Sequence, residues 1–134
     1  MSAEVAARAA VIAALRADGA LMDGLNDLYD SEPGRASAPY GHVGECIGAD
    51  WGGKDVEGRE VRLTIGLRSA DETPARLAGM IARIDPAIGQ AQARDGWRIV
   101  TARLVRSRVA RDGAGAALEW RAVIDYRLRV VREG

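Results

Sequence analysis

Residues 118–132 read Leu-Glu-Trp-Arg-Ala-Val-Ile-Asp-Tyr-Arg-Leu-Arg-Val-Val-Arg, and this stretch decides the fold. Leu118, Trp120, Ala122, Ile124, Tyr126, Leu128 and Val130 alternate with Glu119, Arg121, Val123, Asp125, Arg127 and Arg129. A period of two puts successive side chains on opposite faces, so this is a strand with one apolar face and one charged face. Just upstream, Asp112-Gly113 with Gly115 supplies a turn, and residues 97 to about 109 a second long strand. The two form an antiparallel hairpin. The phase of the earlier strand slips, because Trp97, Ile99 and Leu104 cannot share a face in unbroken alternation. A bulge near residues 101–103 repairs the slip.

Working back toward the N-terminus, Val61, Leu63, Ile65 and Leu67 alternate with Arg62, Thr64, Gly66 and Arg68, a second half-buried strand of the same kind. Between these strands, Thr73-Pro74 is an N-cap followed by proline at the first helical position. Leu77, Met80, Ile81, Ile84 and Ile88 then share one helix face, and Pro86 is expected to kink that helix or end it early. Residues 40–49 form a weaker, glycine-interrupted strand, and residues 26–30 a short extended piece. Residues 3–17 are rich in Ala, Leu and Arg and predict a helix whose apolar face is Val5, Ala9, Ile12 and Leu15, stopped by Gly19. Leu21, Met22 and Leu25 follow in a short turn that covers a core edge. The sum is an α+β chain in the order α-β-β-β-α-β-β. Its mostly antiparallel sheet of four to five strands is covered by two helices on one face, a two-layer sandwich in a single domain spanning residues 1–134. Arg62, Arg68, Arg121, Arg127 and Arg129 fall on the other face, which is either solvated or meets another polypeptide.

Composition narrows the function. The 134 residues carry no net charge, and 48% are hydrophobic, the balance of a globular protein. A zero total argues against a dedicated duplex-DNA binder. The distribution is uneven: residues 1–60 hold eleven acidic and five basic side chains, residues 97–134 nine arginines and four acids. A chain acidic at one end and basic at the other can complement a copy of itself head to tail. Arg98, Arg103, Arg106, Arg108 and Arg111 are dense along one strand, and with a bulge several point outward together. No aromatic platform interleaves with them as single-strand nucleic-acid binding requires.

The parts of an active site are scarce. His42 is the only histidine and Cys46 the only cysteine, which excludes metal sites built on several such ligands and fits a reducing cytoplasm. Asp23, Asp27, Asp30 and Glu32 lack the spacing of a calcium loop. Gly52-Gly53-Lys54 lacks the spacing and the Ser/Thr of a phosphate loop, and it precedes a strand. No apolar run approaches the ~20 residues that cross a bilayer, and no membrane is expected as a partner.

Three segments in order resemble the tail-completion (tail terminator) family of long-tailed phages, prophages and gene transfer agents. They are the Ala-rich helix and loop of residues 3–25, the Pro39-Tyr40-Gly41-His42-Val43-Gly44-Glu45 strand, and Asp50-Trp51 opening a loop that closes at Gly58-Arg59-Glu60. Leu67-Arg68-Ser69 departs from the aromatic-Ser pair common in that family, and Pro86 sits where its second helix continues. The resemblance implies a virion protein with no active site and no cofactor, made in the cytoplasm and built into the particle. It implies a ring, expected to be hexameric, at the head-proximal end of the tail tube, which ends tube polymerisation. The partners implied are the chain itself, the tail tube protein and the head connector or stopper protein, with DNA met only by passage through the ring lumen. The interface is expected at Trp51, Lys54 and Arg59 around the loop of residues 50–58, and at Arg106 and Arg108. A stopper or adaptor of the head–tail connector, or a small-molecule-binding α+β domain, are the competing readings.

Overall fold

In the computed structural model, which describes residues 2–113, 115 and 118–133, the elements are α1 (Ala3–Ala17), α2 (Gly19–Asp23), β1 (Leu28–Tyr29), β2 (Tyr40–Asp50), β3 (Gly58–Ser69), α3 (Ala75–Ile88), β4 (Trp97–Asp112) and β5 (Glu119–Arg132). The strands form one sheet in the order β1-β2-β3-β5-β4, antiparallel throughout except that β1 runs parallel to β2. The expected α+β two-layer architecture is therefore present, with one more helix than anticipated.

The helix-facing side of the sheet is built from Val61, Leu63, Ile65 and Leu67 of β3 and Ala122, Ile124, Tyr126, Leu128 and Val130 of β5, all buried. Leu77, Met80, Ile84 and Ile88 of α3 close over it. Tyr126 donates its hydroxyl to the Asp85 carboxylate on α3, tying the two layers together. Pro86 neither truncates nor breaks α3, which runs on to Ile88. It lies in the last turn, where the missing N–H costs only one bond of the ladder. The start of α3 is also shifted by one residue, with Pro74 in the cap position and Ala75 the first helical residue.

Helix α1 corrects the expected apolar face. The buried side is Ala3, Ala6, Ala7, Ala10, Val11, Ala14 and Leu15, while Val5 is 50% exposed. A face of alanines brings the helix axis close to the sheet; Leu15 is buried as expected and Ile12 packs against the margin of the core, while Val5 turns to solvent. Gly19 does not stop α1. Asp18 ends it and caps α2 through Leu21 N–H, and Gly19 is the first residue of α2. Arg83 of α3 forks onto the same Asp18 carboxylate at 2.7 and 3.1 Å, which holds that carboxyl below its usual range.

Strand β4 carries two bulges rather than one. The register with β5 shifts between Ile99 and Thr101 and again between Leu104 and Arg106, so Val100 and Val105 are the extra residues. The first restores the helix-facing phase of Ala102 and Leu104 and lies just before the expected position. The second was invisible in the sequence, because no apolar alternation continues beyond Leu104 to reveal a slip. Strand β2 has its own irregularity between Val43 and Cys46. There Arg8 of α1 reaches across and donates to the carbonyls of Val43, at 2.8 Å, and Gly44. A side chain on the helix thus satisfies edge carbonyls that the ladder leaves free.

Candidate functional site

The face of the sheet turned away from the helices has no covering layer among the described residues, and it is where the anticipated interface residues must be judged. The pairings define its rows. Arg62 lies opposite Arg127, and Arg127 opposite Arg103. Thr64 lies opposite Asp125, which lies opposite Arg106, and Arg68 lies opposite Arg121. The expectation for Arg62, Arg68, Arg121, Arg127 and Arg129 holds, since all five occupy this open face. The bulge at Val105 has a direct consequence here. Arg103 and Arg106 are three residues apart and would point to opposite faces of a regular strand; the extra residue brings Arg106 and Arg108 into phase with Arg103.

Acids on the open face neutralise part of this charge. Arg106 pairs with Asp125 at 2.8 Å, Arg62 with Glu60 at 3.2 Å, and Arg68 with Glu119 at 3.4 Å. Arg103, Arg108 and Arg127 have no ion-pair partner among the described residues. The Nε atoms of Arg121, Arg127 and Arg129 are buried between neighbouring stems with no hydrogen-bond partner. Long arginine stems therefore cover the sheet while their guanidinium ends face outward. A shallow depression of about 490 Å³ crosses the centre of the face, between Ile47 on β2 and Val105 on β4, with Thr64 and Asp125 in its floor.

The loop after β2 is an ordered hairpin end. Trp51 N–H donates to Gly58 O at 3.1 Å and Gly53 N–H to Val56 O at 2.9 Å, leaving Lys54 and Asp55 at the tip. Trp51 turns back on its own subunit: the Arg129 guanidinium lies 5.2 Å from its ring centre, and a Cβ at Gly58 would come within 3.0 Å of the indole. Lys54 is exposed. Arg59 lies on the helix-facing side and pairs with Glu4 of α1 at 3.1 Å. Glu4's own backbone N–H and then Arg59 hold that carboxyl below its usual range. Gly48 leaves the space this carboxylate fills. The anticipated residues thus fall into two groups. Trp51, Lys54 and Arg59 cluster at the β2–β3 end of the sheet; Arg106 and Arg108 lie on β4, the far edge strand, on the open face.

His42 also lies on the open face, flat across Gly66, and burial pushes its pKa down. Its Nδ1 is buried with no hydrogen-bond partner among the described residues. Burial raises the Cys46 thiol, whose Sγ approaches the Glu4 carbonyl at 3.7 Å on the helix side. Among the described residues no group of three or more His, Cys, Asp or Glu side chains is placed to hold a metal ion, and no helix is long and apolar enough to cross a membrane. The surface offers charge, exposed valines and a hairpin end.

Among solved structures, the fold matches a chain from the structure titled "Virion of native gene transfer agent (GTA) particle" with a TM-score of 0.78 at 24% identity, covering 98% of this chain and 99% of that one. No curated protein sequence matches significantly. The family model described as "Tail completion protein gp17" matches residues 9–131, nearly the whole chain, from the middle of α1 to the end of β5. On that match, this chain belongs to the tail completion protein gp17 family.

Proposed function

We propose that this protein forms a ring at the head-proximal end of a phage-type tail tube, ends polymerisation of the tube and joins the tail to the head connector. The observation that carries the proposal is the family match over residues 9–131. The fold shared with a chain of a gene transfer agent virion is in keeping with it. The role is structural, with a second copy of the chain, the tube protein and a connector or stopper protein as partners, and DNA passing through the lumen. The hairpin end of residues 51–57 docks on a neighbouring subunit or on the tube, with Lys54 at its tip and Trp51 braced by Arg129 behind it.

Negative-stain imaging of the purified protein, alone and mixed with assembled tail tubes, tests the reading. Rings in solution, or caps on one tube end that stop elongation, are the expected result. Monomers that leave tubes uncapped and growing would sink it in favour of a connector component. Deleting residues 52–57 is expected to leave the fold intact, by circular dichroism, and to abolish ring or tube binding. Normal assembly by that variant would remove the loop from the interface.

A further inference from the structure

The two edges of the sheet carry opposite charge. At one edge is β4, whose residues 105–111 are exposed on both faces, with Val105 at 48% and Val109 at 43%. Arg103 and Arg108 rise from it without an acidic partner among the described residues, and Arg103 sits directly opposite Arg127, itself opposite Arg62. Three like charges side by side across neighbouring strands repel one another, and only Arg62 of the three has a carboxylate, Glu60, beside it. At the other edge is β1, two residues long, flanked by exposed Asp27, Asp30 and Glu32. Asp30 pairs with Arg16 at the surface at 2.8 Å, and Asp27 and Glu32 have no ion-pair partner among the described residues.

Resting on the ring reading above, we infer that the β4 edge of one copy receives the β1 edge of the next, with Asp27 and Glu32 facing Arg103 and Arg108. The charge pattern of the two edges selects a second copy as the occupant. Two unpaired arginines at one edge, Arg103 and Arg108, are equal in number and opposite in sign to the unpaired Asp27 and Glu32 at the other, and a head-to-tail contact neutralises both sets at once. Such a contact joins two different surfaces, so it does not stop at a dimer, and under a rotation that closes, it makes the ring of the reading above. The edge contact is made by side chains. The bulges at Val100 and Val105 and the row of arginines disfavour continuous backbone pairing along β4, while exposed Val105 supplies apolar contact between the charges. Nucleic acid is the other polymer a row of arginines would attract, but on this face Asp125, Glu60 and Glu119 are interleaved with them and would meet the phosphates.

A charge swap between the edges tests the inference. One variant carries Arg103→Glu and Arg108→Glu, the other Asp27→Lys and Glu32→Lys; all four positions are exposed. Each variant, the wild type and an equal mixture of the two variants are sized by sedimentation velocity and scored for capping of tail tubes, with thermal melting as a check on folding. The expected result is that each variant alone assembles at least about tenfold more weakly than wild type, and that the mixture recovers assembly as alternating rings, since each swapped edge then meets its complement. Wild-type assembly is expected to weaken between about 50 and about 500 mM salt. If both variants form rings as well as wild type, or if the mixture does not recover, this edge contact is wrong while the ring reading stands. If wild type forms no ring in solution or on tubes, the ring reading itself falls and takes this contact with it. Variants that assemble normally but lose retention on a DNA column would assign the arginine edge to nucleic acid and overturn the inference.

Discussion

The same strands make two faces of different character. On β5, Ile124, Tyr126 and Leu128 are 0%, 1% and 0% exposed beneath the helices, while Asp125, Arg127 and Arg129 between them are half-exposed on the open side. The helix-covered face is complete within one chain: its apolar groups are buried, and the Tyr126 hydroxyl has its carboxylate. The open face is incomplete, with guanidinium groups unpaired and Nε atoms buried without partners. One face holds the subunit together, and the other leaves its charge uncovered within the subunit.

The largest expected effect lies in the first face. Leu128→Ala is expected to destabilise the subunit by about 2–5 kcal/mol, through lost transfer energy and a residual cavity, measured by urea unfolding. Arg127→Gln, the next residue along the same strand, is expected to move stability by less than about 0.5 kcal/mol. Comparable losses from the two would erase the distinction between the faces. Gly66→Ala sharpens it from the open side, because the new methyl would run into the His42 ring. That overlap is expected to cost about 1–3 kcal/mol. A neutral result would show that the imidazole swings away freely and that this part of the open face is not packed. Tyr126→Phe removes the hydroxyl that donates to Asp85 and is expected to cost about 1.5 kcal/mol, as for a bond to a charged group. No loss in chemical unfolding would mean that water replaces it and that the helix-covered face is less complete than described.

The smallest effect is a pH dependence from His42. Burial depresses its folded-state pKa, so below the ordinary value of about 6.5 the unfolded chain binds more protons than the folded one. Its contribution to stability is present above that pH and is lost as the pH falls through the depressed folded value. Glu32 opposes the shift, and Arg68 and Arg8 reinforce it. Unfolding free energies of wild type and His42→Gln, compared between pH 7.5 and 5, are expected to diverge, with the wild type losing more. Parallel curves would mean that the imidazole is solvated and that the open face is wet around His42.

Much of this was legible in the chain itself. The period-two alternation of β3 and β5, the periodic face of α3 and the turn at Asp112-Gly113 fixed the sheet and its apolar side, because side-chain direction in a strand follows from backbone geometry alone. The arginine face followed from the same parity, and the loop at residues 51–57 from its glycines. What the sequence misassigned depended on partners distant in the chain. Val5 looked like core because it is large, but the close approach of α1 favoured the alanine side. Gly19 looked like a stop, but Asp18 was already serving as the cap between two helices and as the anchor for Arg83.

Local alternation and turn chemistry determined that this is a one-sided α+β sheet with a charged reverse face. Only the tertiary structure decided which arginines on that face remain unpaired. Two bulges on β4 set the phase of those on that strand, and acids of β5 reach across to some, Asp125 to Arg106 and Glu119 to Arg68, leaving Arg103, Arg108 and Arg127 without a partner among the described residues. Pairing depends on distance in space, which a residue's neighbours in the chain do not specify.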